Sequence, residues 1–328
     1  MEMIQLTRDL ISIVVPCYNE KDVLMLFFNE VESVIKKIKD AEIEYVFIND
    51  GSKDGTLEIL RNLSLKNNNV RYLSFSRNFG KEAAIFAGLE HASGDYIVIM
   101  DADLQDPPDL LPVMYQAIKK DDYDCIGTRR TDRVGEPPIR SFFAKQFYRI
   151  INKISDTEIV DGARDYRFMT KQMVDAVLEV REYNRFSKGI FSWVGFKTKY
   201  IEYENKNRAA GETSWSFWDL LKYSLDGIVS FSDAPLSFAS LVGLLSFIVA
   251  IMTALAISVR TLIFDNPTSG WTSLVVIVMG IGGLQLFCLG IVGKYLGKTF
   301  LESKNRPIYI LKETEKDIKV TMQNNKRI

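Results

Sequence analysis

The sequence predicts an α/β fold with a mainly parallel, Rossmann-like sheet, followed by interfacial amphipathic helices and two transmembrane helices. Three observations predict it. Short apolar runs alternate with helix-periodic segments over the first 130 residues. Polar clusters at 49–55, 76–81 and 101–106 follow apolar runs. Residues 234–259 and 266–293 contain no Asp, Glu, Lys or Arg.

The elements follow in order. The apolar run Ile11–Val15, ended by Pro16, reads as a buried strand. Val23, Leu26, Phe27, Val31, Val34, Ile35 and Ile38 recur at helical spacing and predict a helix over 23–38. Glu44–Ile48 predicts a second strand, running into the turn Asp50-Gly51-Ser52, and a helix is predicted over 56–65. Val70–Phe75 is a third strand and Lys81–His91 a third helix, closed by Ser93-Gly94. Tyr96–Met100 is a fourth strand ending in Asp101, Leu110–Lys119 a fourth helix, and Asp124–Gly127 a fifth strand. Strands separated by helices of this length pair in parallel through crossovers, and such sheets bind ligands beyond the carboxyl ends of their strands. The three polar clusters lie at those ends.

Residues 141–154 and 215–230 mix aromatics with basic residues at helical spacing. They suit either core-facing helices or helices lying in a membrane interface, and the apolar segments nearby favour the interface. Both charge-free runs exceed the roughly 20 residues that cross a bilayer core of about 30 Å. Lys294, Lys298, Lys304 and Arg306 follow the second run and place that end in the cytoplasm, although Arg260 at the far side of the hairpin weighs slightly the other way. The expected organisation is a cytoplasmic α/β domain over 1–232, a transmembrane hairpin over 233–298 and a polar cytoplasmic tail over 299–328. That makes a multi-pass protein of the plasma membrane. The run Gly280-Ile-Gly-Gly283 offers a close-packing helix face, and a homo-oligomer is expected.

Bulk properties exclude several classes. A net charge of −1 over 328 residues gives no electrostatic case for nucleic acid. Three scattered cysteines argue for a reducing compartment rather than a disulfide framework. One histidine, His91, makes a histidine metal site or a Ser-His-Asp triad untenable, and its place at a helix C-terminus suits the helix dipole. No signal peptide is legible in the polar segment Met1–Arg8.

The chemistry begins at Asp101-Ala-Asp103. Two carboxylates two residues apart at the end of a strand can turn toward one cation, and hard oxygen ligands suit Mg²⁺ or Mn²⁺ completed by substrate phosphates. The context Leu104-Gln105-Asp106-Pro107-Pro108 strengthens a pattern that is weak alone.

Four segments occur together and in order: Pro16-Cys-Tyr-Asn-Glu20, Asn49-Asp-Gly-Ser-Lys-Asp-Gly-Thr56, Ser76-Arg-Asn-Phe-Gly-Lys81 and Asp101-Ala-Asp-Leu-Gln-Asp-Pro-Pro108. With Asp165-Tyr-Arg-Phe168, Asn184-Arg-Phe186, Trp193-Val-Gly-Phe196 and two apolar helices, the chain resembles glycosyltransferase family 2 with its GT-A fold. The nearest branch is the polyprenyl-phosphate glycosyltransferases. The resemblance implies that Pro16, Tyr18, Glu20 and Asp50 hold the nucleoside of a nucleotide-sugar donor. It implies that Lys81 faces the diphosphate, that Asp101, Asp103 and Gln105 form the metal site, and that Arg129 and Arg140 hold the phosphate of the acceptor lipid, with forks that match phosphate oxygens. Arg208 matches a loop that closes over the donor. Asp165 matches an acidic residue commonly assigned as base. A phosphate monoester with a second pKa of about 6 is already largely dianionic at neutral pH, so Asp165 can instead orient Arg167 or the incoming phosphate.

The expected reaction is inverting transfer of a sugar from a UDP-sugar, UDP-glucose first, to polyprenyl phosphate, with UDP-N-acetylglucosamine and GDP-mannose as alternative donors. A processive synthase would carry further spans and a Q-x-x-R-W motif, which this sequence lacks. A non-catalytic membrane binding module would not need the intact Asp101, Asp103 and Gln105 set.

Overall fold

In the computed structural model, the structure describes residues 8–130, 146, 149, 152–154, 160–203, 228–230, 232–264 and 270–319. An eight-stranded sheet forms the centre, in the order β7-β5-β6-β4-β1-β2-β3-β8. Its first half follows the alternation in the sequence: β1 (Asp9–Cys17), α1 (Leu24–Ile35), β2 (Ala41–Asn49), α2 (Thr56–Lys66), β3 (Val70–Phe75), α3 (Lys81–His91), β4 (Tyr96–Ile99), α4 (Leu110–Lys120) and β5 (Cys125–Arg130). β1 pairs in parallel with β2 and β4, and β2 with β3.

The second half adds β6 (Ala163–Thr170), α5 (Lys171–Glu179), α6 (Ser187–Trp193), β7 (Thr198–Tyr203), α7 (Ala234–Phe264), α8 (Trp271–Ser303) and β8 (Leu311–Thr314). β6 enters the sheet antiparallel between β4 and β5. Neither β6 nor β8 was legible as a strand. Arg164, Asp165 and Arg167 interrupt the apolar pattern of β6, and Lys312 and Glu313 do so in β8.

Each face of the sheet carries a packed layer. Ile11, Ile13 and Val15 point to one side, against Leu24, Phe27 and Val31 of α1 and Leu60 of α2. Val14, Val46 and Ile48 point to the other, against Ala83, Ala84, Ala87 and Leu89 of α3. The alternation along β1 is the period of two that a strand buried on both faces requires. α3 lies so close that a Cβ on Gly88 would come within 2.2 Å of Val14 Cγ1.

α7 and α8 contain spans, Ala234–Ile257 and Ile277–Ser303, long and apolar enough to cross a membrane, and neither is buried inside the protein. At about 1.5 Å per residue the 24-residue span covers about 36 Å, against about 30 Å of hydrocarbon. Tyr295 O–H donates to the Ser232 carbonyl at 2.6 Å and Lys298 Nζ to Ser230 Oγ at 2.8 Å, tying the base of the hairpin. A Cβ on Gly280, Gly282 or Gly283 would meet nothing within 4 Å. Among the described residues the glycine run therefore does not pack against the other helix of the hairpin. The segments 141–154 and 215–230 lie largely outside the described residues. Their described parts, 146, 149, 152–154 and 228–230, are helical.

The described residues after α8, 304–319, return to the sheet. Glu302 accepts hydrogen bonds from the backbone N–H groups of Tyr183 and Asn184 at 3.0 and 3.1 Å, and from the Asn184 amide at 3.2 Å. Tyr309 stacks on Phe75 with ring centroids 5.0 Å apart and donates its hydroxyl to Glu90 at 2.6 Å. β8 then pairs antiparallel with β3, and Glu313 accepts from Arg61 and Tyr72. His91 belongs to this seam. Its Nε2 lies 3.1 Å from the Tyr309 hydroxyl, and burial pushes its pKa below the usual histidine value, which favours a neutral ring over a dipole-stabilised cation.

Candidate active site

The site forms where β1, β2, β3 and β4 end. Two loops there are joined by reciprocal hydrogen bonds. Asn19, in the left-handed region at φ 57°, donates its N–H to Ser52 Oγ at 3.0 Å, and its side chain accepts from Lys53 N at 2.9 Å. Glu20 N donates to Thr56 Oγ1 and Lys21 N to Asp54 Oδ2. Tyr18 is left 44% exposed at the mouth, with Pro16 and Glu20 partly buried beside it.

Asp50 is buried, and its two oxygens accept from Phe79 N at 2.6 Å and Gly80 N at 2.9 Å. Burial raises its pKa above the usual carboxylate value, against those two N–H groups and Arg77, which lower it. Asp50 thus fixes the loop that delivers Lys81. Gly51 permits the approach. It has φ 64°, and a Cβ there would lie 2.4 Å from the Arg77 carbonyl carbon.

Lys81 opens α3 and reaches across the sheet end. Its Nζ lies 2.7 Å from Asp101 Oδ1 and 2.8 Å from Asp165 Oδ2. The strand register explains the convergence. Ile99 pairs with Arg167 in the antiparallel β4–β6 ladder, and continuing two residues sets Asp101 opposite Asp165. Two facing carboxylates repel unless a cation joins them. Burial would raise the Asp165 carboxyl, but Lys81, Lys188 and Arg164 outweigh it and hold it far below the usual carboxylate range. Burial would lower the Lys81 ammonium, but Asp101 and Asp165 hold it above the ordinary lysine value.

The loop after β4 is locked from beneath. Asp106, 1% exposed, accepts from Arg164 Nε at 3.2 Å and from the Tyr203 hydroxyl at 2.6 Å. Asp103 accepts from Gln105 N at 3.1 Å, and the Gln105 amide oxygen accepts from Arg130 Nη2 at 3.0 Å. Among the described residues no cluster of three or more His, Cys, Asp or Glu side chains is arranged to hold a metal. Asp101 and Asp103 still fit a divalent ion that substrate phosphates complete, because Asp101 already faces a cation, the Lys81 ammonium. The Gln105 amide oxygen keeps a second lone pair for such a set while it accepts from Arg130.

Arg129 stands at the end of β5, 43% exposed and 3.7 Å from Glu202. Arg140 and Arg208 lie outside the described residues. Arg167 does not meet Asp165 as a hydrogen-bond partner. It is buried with its guanidinium 4.8 Å from the Phe191 ring and 5.8 Å from the Tyr200 ring. Sequence reasoning passed over Asp106, Arg130 and Arg164. Asp106 sits inside the quoted Asp101–Pro108 segment and Arg130 inside a basic cluster, so each carried a signal. Arg164, within a charged strand, carried none.

A family model described as glycosyl transferase family 2 matches residues 12–178. A relative in Escherichia coli (strain K12), named prophage bactoprenol glucosyl transferase homolog, is 40% identical over 306 residues, covering 93% of this chain and 99% of its own length. The SfII prophage-derived bactoprenol glucosyl transferase of Shigella flexneri is 39% identical over 306 residues, covering 93% of this chain and 98% of its own. Among solved structures, mannosyl-3-phosphoglycerate synthase from Rubrobacter xylanophilus aligns over 67% of this chain and 72% of its own, at 15% identity and a TM-score of 0.47.

Proposed function

The chain belongs to glycosyl transferase family 2, and from that premise we propose that it transfers glucose from UDP-glucose to polyprenyl phosphate at the cytoplasmic face of the plasma membrane. One observation carries this reading. The likeness to relatives named for bactoprenol and glucose covers 93% of the chain, so it takes in the two apolar helices along with the sheet that holds Lys81, Asp101 and Asp165.

The residues divide the work. Pro16, Tyr18, Glu20 and Asp50 line the nucleoside end of the site. Asp101 and Asp103 hold Mg²⁺ or Mn²⁺, with Gln105 beside them. When bound, the ion supplies Lewis-acid stabilisation to the leaving diphosphate. Lys81 offers the same leaving group a cation as it turns from the carboxylates. Arg208 closes over the donor, and Arg129 with Arg140 holds the lipid phosphate. An acceptor phosphate oxygen forms the new bond to the anomeric carbon from the face opposite the diphosphate, whose oxygen departs with the bonding pair, and the linkage is inverted. Asp165 orients Lys81 rather than taking a proton. Its carboxyl is held well below the range in which it would act as a base at neutral pH, and a phosphate dianion has no proton to give.

α7 and α8 form the membrane hairpin, entered from interfacial helices over 141–154 and 215–230. The same reading includes self-association of the hairpin, where a Cβ on Gly280, Gly282 or Gly283 would meet nothing within 4 Å among the described residues. The test is a donor panel. Purified full-length protein with undecaprenyl phosphate is given labelled UDP-glucose, UDP-N-acetylglucosamine or GDP-mannose in turn. Label enters the lipid fraction from UDP-glucose. Transfer from another donor alone corrects the sugar, alkali-stable polymer points to a synthase, and no label from any donor removes the reading.

A further inference from the structure

We propose that Lys188 is a substrate-contacting cation of this site, binding a phosphate oxygen of the donor diphosphate or of the acceptor phosphate beside Asp165. The naming of those two substrates rests on the transferase reading above.

The placement follows from β6 and α6. Side chains alternate along a strand, so Asp165, Arg167 and Met169 share one face of β6. α6 packs on that face. Ile190 and Phe191 join Met169 in one core cluster, and the Arg167 guanidinium lies over the Phe191 ring. The other end of α6 is fastened to α3. Glu82, the neighbour of Lys81, accepts from Ser187 N at 2.9 Å and from the Ser187 hydroxyl. Ser187 and Phe186 are both buried. Lys188 is therefore fixed between the helix that carries Lys81 and the strand that carries Asp165.

Its charge is felt there. After burial, which opposes ionisation, Lys81 and then Lys188 are the strongest influences on the Asp165 carboxyl. The other cations at the cluster are engaged. Lys81 bridges Asp101 and Asp165, and Arg164 is paired with Asp106. Lys188 is half-buried, and among the described residues it forms no hydrogen bond or ion pair. A half-buried ammonium with its donors open, beside a carboxylate already paired with another lysine, is matched to an incoming anion. Lysine serves such anions as a compact point charge with three rotatable donors. A role confined to holding Asp165 would change stability alone and leave phosphate affinity untouched.

The test uses the full-length chain in detergent and two probes: inorganic pyrophosphate for the donor side and farnesyl phosphate for the acceptor side. Affinities are measured by calorimetry for the wild type, Lys188→Gln and Lys188→Arg, with thermal unfolding in parallel. Lys188→Gln weakens binding of at least one probe by about tenfold or more, as loss of a charge-assisted hydrogen bond does, and Lys188→Arg restores most of it. Loss toward pyrophosphate assigns the donor, and loss toward farnesyl phosphate the acceptor. If the Gln variant does not fold, Lys188→Met, which keeps the apolar stem, takes its place. Wild-type affinity for both probes in the variant overturns the proposal, as does a wild type that binds neither. A failed donor panel with intact Lys188-dependent probe binding would remove only the transferase reading, whereas glucose transfer with unaltered probe binding in the variant would remove only Lys188.

Discussion

Lys81 and Asp165 lie 84 positions apart in sequence and 2.8 Å apart in space. The same ammonium holds Asp101 at 2.7 Å, so one side chain joins the end of a parallel strand to an antiparallel one across the mouth of the site.

Lys81→Met removes the ammonium that joins Asp101 to Asp165. Transfer should fall by about 10²-fold or more, the scale for removing one preorganised charge partner of a leaving group. Steady-state kcat/KM for the donor measures it, and a fall under about threefold would contradict the role.

The pH dependence separates an orienting Asp165 from a basic one. Its folded pKa is depressed, so its stabilising contribution is present above the unfolded value of about 3.9 and is lost only as pH falls through the folded value. Lys81 is raised, so its contribution is present below about 10.4 and is lost as pH rises through the folded value. The pair is intact across the neutral range. The acid limb of kcat/KM for the acceptor should then have its midpoint near about 6, from the lipid phosphate. Asp165→Asn should lower kcat and keep that limb. Disappearance of the limb in the variant would make Asp165 the base.

Gly51→Ala places a methyl against the Arg77 backbone at a positive φ. A destabilisation of about 1–3 kcal/mol from the backbone conformation alone is expected, read as a lower midpoint in thermal unfolding. The donor KM should rise as well, because the turn next to Asp50 shifts.

Glu302→Ala strips the acceptor from two backbone N–H groups and the Asn184 amide at the end of α8. The turn at 183–184 should exchange its amide hydrogens faster, by an opening free energy lowered about 1–3 kcal/mol, while the exchange of β1 stays unchanged.

The parallel half of the fold was legible because its strands are apolar on both faces. Ile11, Val14, Val46 and Ile48 leave no other reading. β6 hid itself for a functional reason. Asp165 faces the site, Arg164 locks Asp106, and Arg167 packs under Phe191, so the strand carries the charges that normally mark a loop. β8 hid because an edge strand tolerates Lys312 and Glu313, and its partners Arg61 and Tyr72 are 252 and 241 positions away. Asp101 and Lys81 stood out as chemistry at strand ends, but their meeting with Asp165 depends on the β4–β6 register, which no local pattern encodes. Asp50 looked like a ligand to a base. In the structure its two oxygens carry the Phe79–Gly80 loop.

Metal-assisted glucosyl transfer is decided by following labelled glucose from UDP-glucose to undecaprenyl phosphate in proteoliposomes, comparing the wild type with Asp103→Asn. The wild type should give labelled lipid with inverted linkage and the variant none above background, with both proteins folded. Equal labelling by the two, or none by the wild type, would contradict it.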